Sequence, residues 1–271
     1  MSVSTQEENS TLFPSAALKG KRALIFGGTG GIGYACGRAF LAAGVQQLMI
    51  IGRNAERAEK AAAALNSEFD SCDVRFTASD AATSEGATRG VQACVDAFGG
   101  VDILLSSAGG DPMPGLFHTL PIESLPDIVG SSMMPAILPA RAVLDTMMAQ
   151  GKGVILTVAS DAGKVATPGE TAIGAAMAGI IMFTRSLANE AKRSNIRVNC
   201  LSPSIVRSTA LYDNLMADAF ASKLFSKAEK MASLGVVEPE DIAAMAVYLA
   251  SPAAAKISGQ VVSINGGISM A

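Results

Sequence analysis

Histidine is almost missing from this sequence: His118 is the only one in 271 residues, and tryptophan is absent altogether. A lone histidine removes most metal centres and most histidine-based catalysis, so no metal site is expected and His118 reads as a solvated loop residue. Cys36, Cys72, Cys94 and Cys200 show no short paired spacing. That argues against a disulfide framework or zinc site and fits reduced core thiols of a cytoplasmic protein. Basic charge is not in excess either. A net charge of −3 gives no field to hold nucleic acid or an anionic membrane. Long hydrophobic runs are lacking too: "AIGAAMAGIIMF" falls short of the ~20 residues that span a bilayer. The opening stretch "MSVSTQEENSTLFPS" is polar and acidic, unlike a secretory or transit signal, and residues 1–18 are expected to form a flexible tail.

Beyond that tail, short apolar runs alternate with longer helical patterns. "RALIFGG" (22–28), "QLMIIG" (47–52), "DVRFTAS" (73–79), "VDILLSSAG" (101–109), "GVILTVAS" (153–160), "IRVNCLSP" (196–203) and "QVVSING" (260–266) read as strands. Helical patterns separate them, such as "GYACGRAFLAAG" (33–44), closed by Gly44, and the Ala-rich "NAERAEKAAAALNSE" (54–68). Strand–helix alternation implies right-handed crossovers and a parallel sheet covered on both faces. The fold class is therefore α/β: a single-domain, doubly wound, Rossmann-type sheet over residues 19–271, with no linker or internal repeat. Pro135 and Pro139 interrupt the helical pattern after Ser132, and a helix start or kink is expected near Pro135.

"FGGTGGIG" (26–33) joins the first strand to the first helix. Gly27, Gly31 and Gly33 let a backbone approach a pyrophosphate, whose charge then sits at the positive end of the following helix. At the end of the second strand, an acidic residue would hydrogen-bond the ribose hydroxyls of NAD. Here "IIGRN" places Gly52 at that point and Arg53 next. A guanidinium pairs with a 2′-phosphate through charge-assisted hydrogen bonds, so NADP(H) is the expected cofactor.

With these features in place the chain resembles a short-chain dehydrogenase/reductase over nearly all of residues 19–271. "GGTGGIG" matches that family's glycine loop, with Phe26 for its usual threonine, and "VDILLSSAGG" matches its fourth strand, with Ser106 and Ser107 for two asparagines. "ASDAAT", "IRVNCLSPSIVRST" and "EPEDIAAMAVYLASPAAAKISGQVVSINGG" match three further segments. The resemblance implies cofactor contacts from Gly27, Thr29, Gly30, Gly31, Ile32 and Gly33 of the loop. It adds Arg53, Asp80 and Ala81 beside the adenosine half, and Ala108 and Gly109 after the fourth strand. It also places the Val206 backbone near the carboxamide and the Ser208 hydroxyl near a phosphate.

The same resemblance implies a catalytic serine, tyrosine and lysine, with an asparagine on the preceding helix. Ser160 holds the serine position, but Ile173 stands at the tyrosine's, Met177 at the lysine's and Ser132 near the asparagine's. Ile and Met donate no proton, and general acid catalysis contributes about 10²–10⁴ in rate. Hydride transfer then suits a substrate already activated, an iminium ion or conjugated double bond, beside an apolar wall. Asp161 is the second catalytic candidate, as an acid with a raised pKa or an ionised partner for a cationic substrate. Glu170 and Asp111 read as solvated surface acids, Tyr34 and Tyr248 as core residues, and Tyr212 as part of an amphipathic lid over residues 209–235.

Three functions remain open at this level. The first is an NADP(H)-dependent oxidoreductase for a pre-activated, mainly apolar small molecule. The second is a cyclase- or lyase-type catalyst that retains NADP. The third is a non-catalytic NADP(H)-binding homologue. A homotetramer or homodimer is expected through the Ala- and Met-rich helices around residues 135–149 and 172–183, with no nucleic acid or membrane partner.

Overall fold

The computed structural model describes residues 16–271. Seven parallel strands are arranged in the order β3-β2-β1-β4-β5-β6-β7. They are β1 (Arg22–Phe26), β2 (Gln47–Gly52), β3 (Asp73–Ala78), β4 (Ile103–Ser106), β5 (Gly153–Val158), β6 (Ile196–Pro203) and β7 (Val261–Ile264). Each falls inside a run legible as a strand in the sequence. The strand order reverses between β1 and β4, the point where open α/β sheets bind ligands at their carboxyl ends.

The helices are α1 (Gly31–Ala42), α2 (Ala55–Glu68), α3 (Ser84–Phe98), α4 (Leu125–Gln150), α5 (Thr171–Ala191), α6 (Ala210–Ala217), α7 (Ala221–Met231) and α8 (Pro239–Ala250). On one face of the sheet α1, α2 and α8 enclose a core with Ile25, Phe40, Leu48 and Leu65 fully buried. On the other, α3, α4 and α5 cover Phe26, Leu104 and Ile155. A fully buried side chain of this size contributes about 1.5–3 kcal/mol. Phe26 shows why glycine recurs in these helices: a Cβ on Gly90 of α3 would lie 2.6 Å from its ring.

Two expectations need correction. The ordered body begins before residue 19, because Leu18 is fully buried and its N–H donates to the Ala43 carbonyl at 2.8 Å. The rest of the expected tail, residues 1–15, lies outside the described residues. Second, α4 does not start at Pro135: it runs from Leu125 with both prolines inside. Proline removes the N–H that would reach the carbonyl four residues back. For Pro135 that carbonyl is Ser131's, and the Gly110 N–H takes it at 2.8 Å. The helix α5 with its following turn, Thr171–Ser194, is 24 residues long and apolar enough to cross a membrane by length and composition alone. Its inner face, including Ile180, Thr184 and Leu187, is packed in the core.

Candidate active site

A cavity of about 610 Å³ opens at the carboxyl ends of the strands, within the ordinary size range of small-molecule sites. Gly30, Gly31, Ile32 and Gly33 line one end, and Ser107, Ala108 and Gly109 follow along the crevice. Ser160, Ile173 and Met177 line the central wall, with Ser132 also in contact. Leu211, Leu215, Leu224 and Phe225 of α6 and α7 bring hydrocarbon to the far side. The amphipathic stretch at 209–235 thus forms a wall of the cavity. It is divided by Asp218, whose Oδ1 accepts from the Phe220 and Ala221 N–H groups (2.9 and 2.8 Å).

The glycine end is a cradle of limited room. Gly27 has φ +87°, and a Cβ there would meet the Ala108 backbone at 2.6 Å. At Gly33 the conflict is tighter: a Cβ would stand 2.2 Å from the Gly27 carbonyl oxygen, so α1 packs directly against the loop. Gly30 precedes α1 without any side-chain cap, and the first turn carries no acidic residue. The leading N–H groups and the positive helix end therefore face the cavity without a competing anion. This cradle fits a dinucleotide pyrophosphate, which Gly31, Ile32 and Gly33 would hold.

Several expected cofactor residues do not line this cavity. Gly27 and Thr29 lie behind its wall, and Asp80 and Ala81 follow β3 further out, with Asp80 Oδ1 accepting from the Ala82 N–H at 2.9 Å. Arg53 is exposed, and the arginine on the cavity wall is Arg57. Asn54 caps α2 by accepting from the Arg57 N–H (2.8 Å), and the Arg57 Nε donates to the Thr29 carbonyl (3.2 Å). Its guanidinium so crowds Gly30 that a Cβ there would lie 2.2 Å from it. No local sequence signal marked Arg57, because its role depends on the first turn of α2 lying back over the glycine loop.

Val206 lines the cavity, whereas Ser208 is exposed with φ +56° and lies off its wall. Thr209, the next residue, lines the cavity. It caps α6 by accepting from the Tyr212 N–H (3.1 Å), donates to the Val206 carbonyl (2.9 Å) and packs its methyl toward Gly31. The left-handed turn at Ser208 rotates its side chain out of register with the cavity.

Ser160 follows β5, and its Oγ accepts from the Ala162 N–H at 3.2 Å. Asp161 contacts the cavity but does not behave as a free lip acid. It is buried; its Oδ2 accepts from Asn265 Nδ2 (2.7 Å) and Ser269 Oγ (2.9 Å). Its Oδ1 has no hydrogen-bond donor but stands 3.1 Å from the Lys164 ammonium. These contacts pin the segment after β7 to the end of β5. Ser132 is similarly occupied, donating to the Ile128 carbonyl at 2.7 Å. Tyr212 also contacts the cavity, yet its hydroxyl donates to Glu229 Oε1 (3.0 Å), which Arg207 grips as well.

Glu170 overturns its reading as a solvated surface acid. It lines the cavity, and burial pushes its carboxyl up to about 7, opposed only by a hydrogen bond with Thr167. Asp111 also contacts the cavity but is exposed, and His118 lies exposed in a short helical turn as expected.

Comparison with known proteins agrees with this architecture. Residues 27–269 match the family model described as enoyl-(acyl carrier protein) reductase. A 3-oxoacyl-acyl-carrier-protein reductase of Chlamydia trachomatis is 31% identical over 255 residues, covering 94% of this chain and 99% of that protein. An acetoacetyl-CoA reductase of an Acinetobacter species is 32% identical over 252 residues, covering 92% and 98%. Among solved structures, levodione reductase superposes with a TM-score of 0.86 at 25% identity, covering 92% of this chain and 97% of its own. A seven-stranded parallel sheet, a glycine cradle at its switch point and full-length similarity to reductases make this chain a member of the short-chain dehydrogenase/reductase family of oxidoreductases.

Proposed function

We propose that this oxidoreductase uses NADP(H) and delivers hydride to a pre-activated, mainly apolar small molecule: an iminium ion or a conjugated double bond in preference to a simple ketone. The carrying observation is that Ile173 and Met177, one helical turn apart on α5, both line the cavity beside Ser160. Side chains four residues apart share a helix face, so the wall carries hydrocarbon at the two places where the family's tyrosine and lysine stand by resemblance. The relatives' names, reductases of 3-oxoacyl and acetoacetyl thioesters, support reduction as the reaction type.

When bound, the cofactor supplies a hydride. Gly31, Ile32 and Gly33 would hold its pyrophosphate with backbone N–H groups. The Ser160 hydroxyl orients a polar atom of the substrate, while Ile173, Met177, Leu215 and Phe225 exclude water around it. Arg57 at the glycine loop and Arg53 at the end of β2 support the phosphorylated dinucleotide. So does Gly52, where a Cβ would press on the Thr29 methyl at 2.5 Å and leaves an acidic side chain no room. Exposed Met148 on α4 and Met182 on α5 support assembly as a homo-oligomer, which light scattering reads directly.

The test follows NADPH absorbance with a panel of ketones, imines and enones. Consumption with iminium or enone, and at least about 10²-fold less with the matching ketone, is the expected result. Equal ketone turnover refutes the substrate assignment. Product without net cofactor turnover would instead identify a cyclase or lyase, and tight NADPH binding without any conversion a non-catalytic binder.

A further inference from the structure

We propose that Glu170 is the catalytic acid of this cavity, giving its carboxyl proton to a conjugated substrate as hydride arrives at the other end of the double bond. The proposal rests on the reductase reading above and narrows its substrate to α,β-unsaturated carbonyl compounds. A preformed iminium ion needs no proton, and an acid at this site would have nothing to do for it.

The placement of Glu170 follows from its local sequence. "TPGE" (167–170) closes a turn in which the Glu170 N–H donates to the Thr167 carbonyl at 3.1 Å. Pro168 takes the second position and Gly169, with φ +85°, the third, the pattern of a type II turn. Two contacts fix that turn against the cavity. The Gly115 N–H donates to the Gly169 carbonyl at 2.8 Å, and a Cβ on Gly169 would meet the Phe220 ring at 2.6 Å. The chain then enters α5, with the Gly174 N–H donating to the Glu170 carbonyl at 2.6 Å. Positions 170, 173 and 177 repeat at helical spacing, so Glu170 continues the wall formed by Ile173 and Met177, and all three line the cavity.

Beyond a hydrogen bond with Thr167, the carboxyl has no assigned partner. It caps no N–H at the start of α5. The other titratable or charged side chains on the cavity wall are Arg57, Asp111, Asp161, Tyr212 and Lys227. Asp161 is tied to Asn265 and Ser269 through one oxygen and pairs with Lys164 through the other, and Tyr212 is committed to Glu229. Burial alone favours the neutral form of Glu170, moving its titration to about 7, close to the working pH at which a general acid is most effective.

The step balances as follows. A C–H bond of the reduced cofactor breaks, its electron pair forms the new C–H bond at the β-carbon, and the carbon–carbon π pair shifts to give an enolate. Glu170 then breaks its O–H bond and its proton forms the C–H bond at the α-carbon. NADPH loses two electrons, the substrate gains them, and the Glu170 carboxylate is reprotonated from solvent water.

Cyclohexenone serves as the probe, with wild type, Glu170→Gln and Glu170→Asp measured across neutral pH. In the wild type kcat is expected to fall as pH rises through about 7. In Glu170→Gln the rate drops about 10²-fold or more and that inflection disappears, whereas Glu170→Asp keeps an inflection. Glu170→Gln turning over at the wild-type rate, or a wild-type profile flat across neutrality, overturns the proposal and leaves the reductase reading standing. An infrared pH titration of the cofactor-free protein gives a second readout. A protonated-carboxyl band lost near pH 7 and missing from Glu170→Gln supports the proposal, and a Glu170 already ionised below neutrality overturns it. If the wild type turns over no member of the panel, the functional reading falls and this proposal falls with it.

Discussion

Under the proposed NADP(H) reading, cofactor choice turns on the few atoms between Thr29, Gly52 and Arg57. Gly52 ends β2 where a Cβ would press on Thr29, and the Arg57 guanidinium, held by the Thr29 carbonyl, covers Gly30. A charge-assisted hydrogen bond contributes about 1.5–3 kcal/mol. Arg57→Ala is therefore expected to weaken NADPH binding roughly tenfold to a hundredfold, while NADH binding stays nearly constant. Isothermal titration of both cofactors checks this, and equal loss for the two would refute a 2′-phosphate role. Arg53→Ala, removing an exposed side chain, should have the smaller effect. Arg53 was legible because it directly follows the second strand. Arg57 was not, because its role requires the first turn of α2 to lie back over the loop. Asp161 misled for a similar reason: its partners Asn265 and Ser269 lie more than a hundred residues on, and no local pattern reveals that contact.

Helix termini show how backbone groups left over by one element become the fastening of another. Within α4, Pro135 releases the Ser131 carbonyl, which then holds Gly110 and with it the loop leaving β4 along the cavity. At the end of α8, the part-buried Arg197 of β6 donates to the Leu249 carbonyl at 2.6 Å, with Ala250 and Ser251 carbonyls at 3.4 and 3.3 Å. A cation over a helix C-terminus satisfies orphan carbonyls and complements the dipole. Burial lowers the Arg197 pKa without neutralising it. Arg197→Met keeps much of the hydrocarbon but leaves those carbonyls unpaired, so it should lower unfolding stability by about 2–3 kcal/mol. Urea denaturation measures this; a midpoint equal to wild type would show that water replaces the guanidinium. At this scale the periodic strands and helices were readable directly. The course of α4 was not, since proline argues for a break and the compensating donor lies in another segment.

Across the whole molecule, chemistry and stability are placed at opposite ends of the sheet. The carboxyl ends carry the glycine cradle and the cavity. The amino ends are joined by Arg22, at the start of β1, and Asp102, just before β4. The Arg22 Nε donates to Asp102 Oδ2 at 2.8 Å and its backbone N–H to the same oxygen at 3.0 Å. Lys152 stands 3.3 Å from Oδ1, and Gln150 accepts from Arg22 at 3.0 Å while bridging Val101. Burial opposes the charge on Asp102, but the Arg22 hydrogen bonds and the two cations outweigh it and hold the carboxyl below its ordinary 3.8. A depressed carboxyl pKa means that the anion stabilises the fold. That contribution is complete above the unfolded value and is lost as pH falls through the folded one. Asp102→Ala is accordingly expected to cost about 3 kcal/mol at neutral pH, because it leaves a part-buried guanidinium without its partner. The loss should shrink as wild type and variant are compared at successively more acidic pH. NADPH affinity should remain within about twofold of wild type, since the change lies at the far end of every strand from the cradle, too distant to couple. Denaturation curves at neutral and acid pH, paired with cofactor titration, test both halves. A variant that loses cofactor binding while keeping its stability would show that the two poles are not independent.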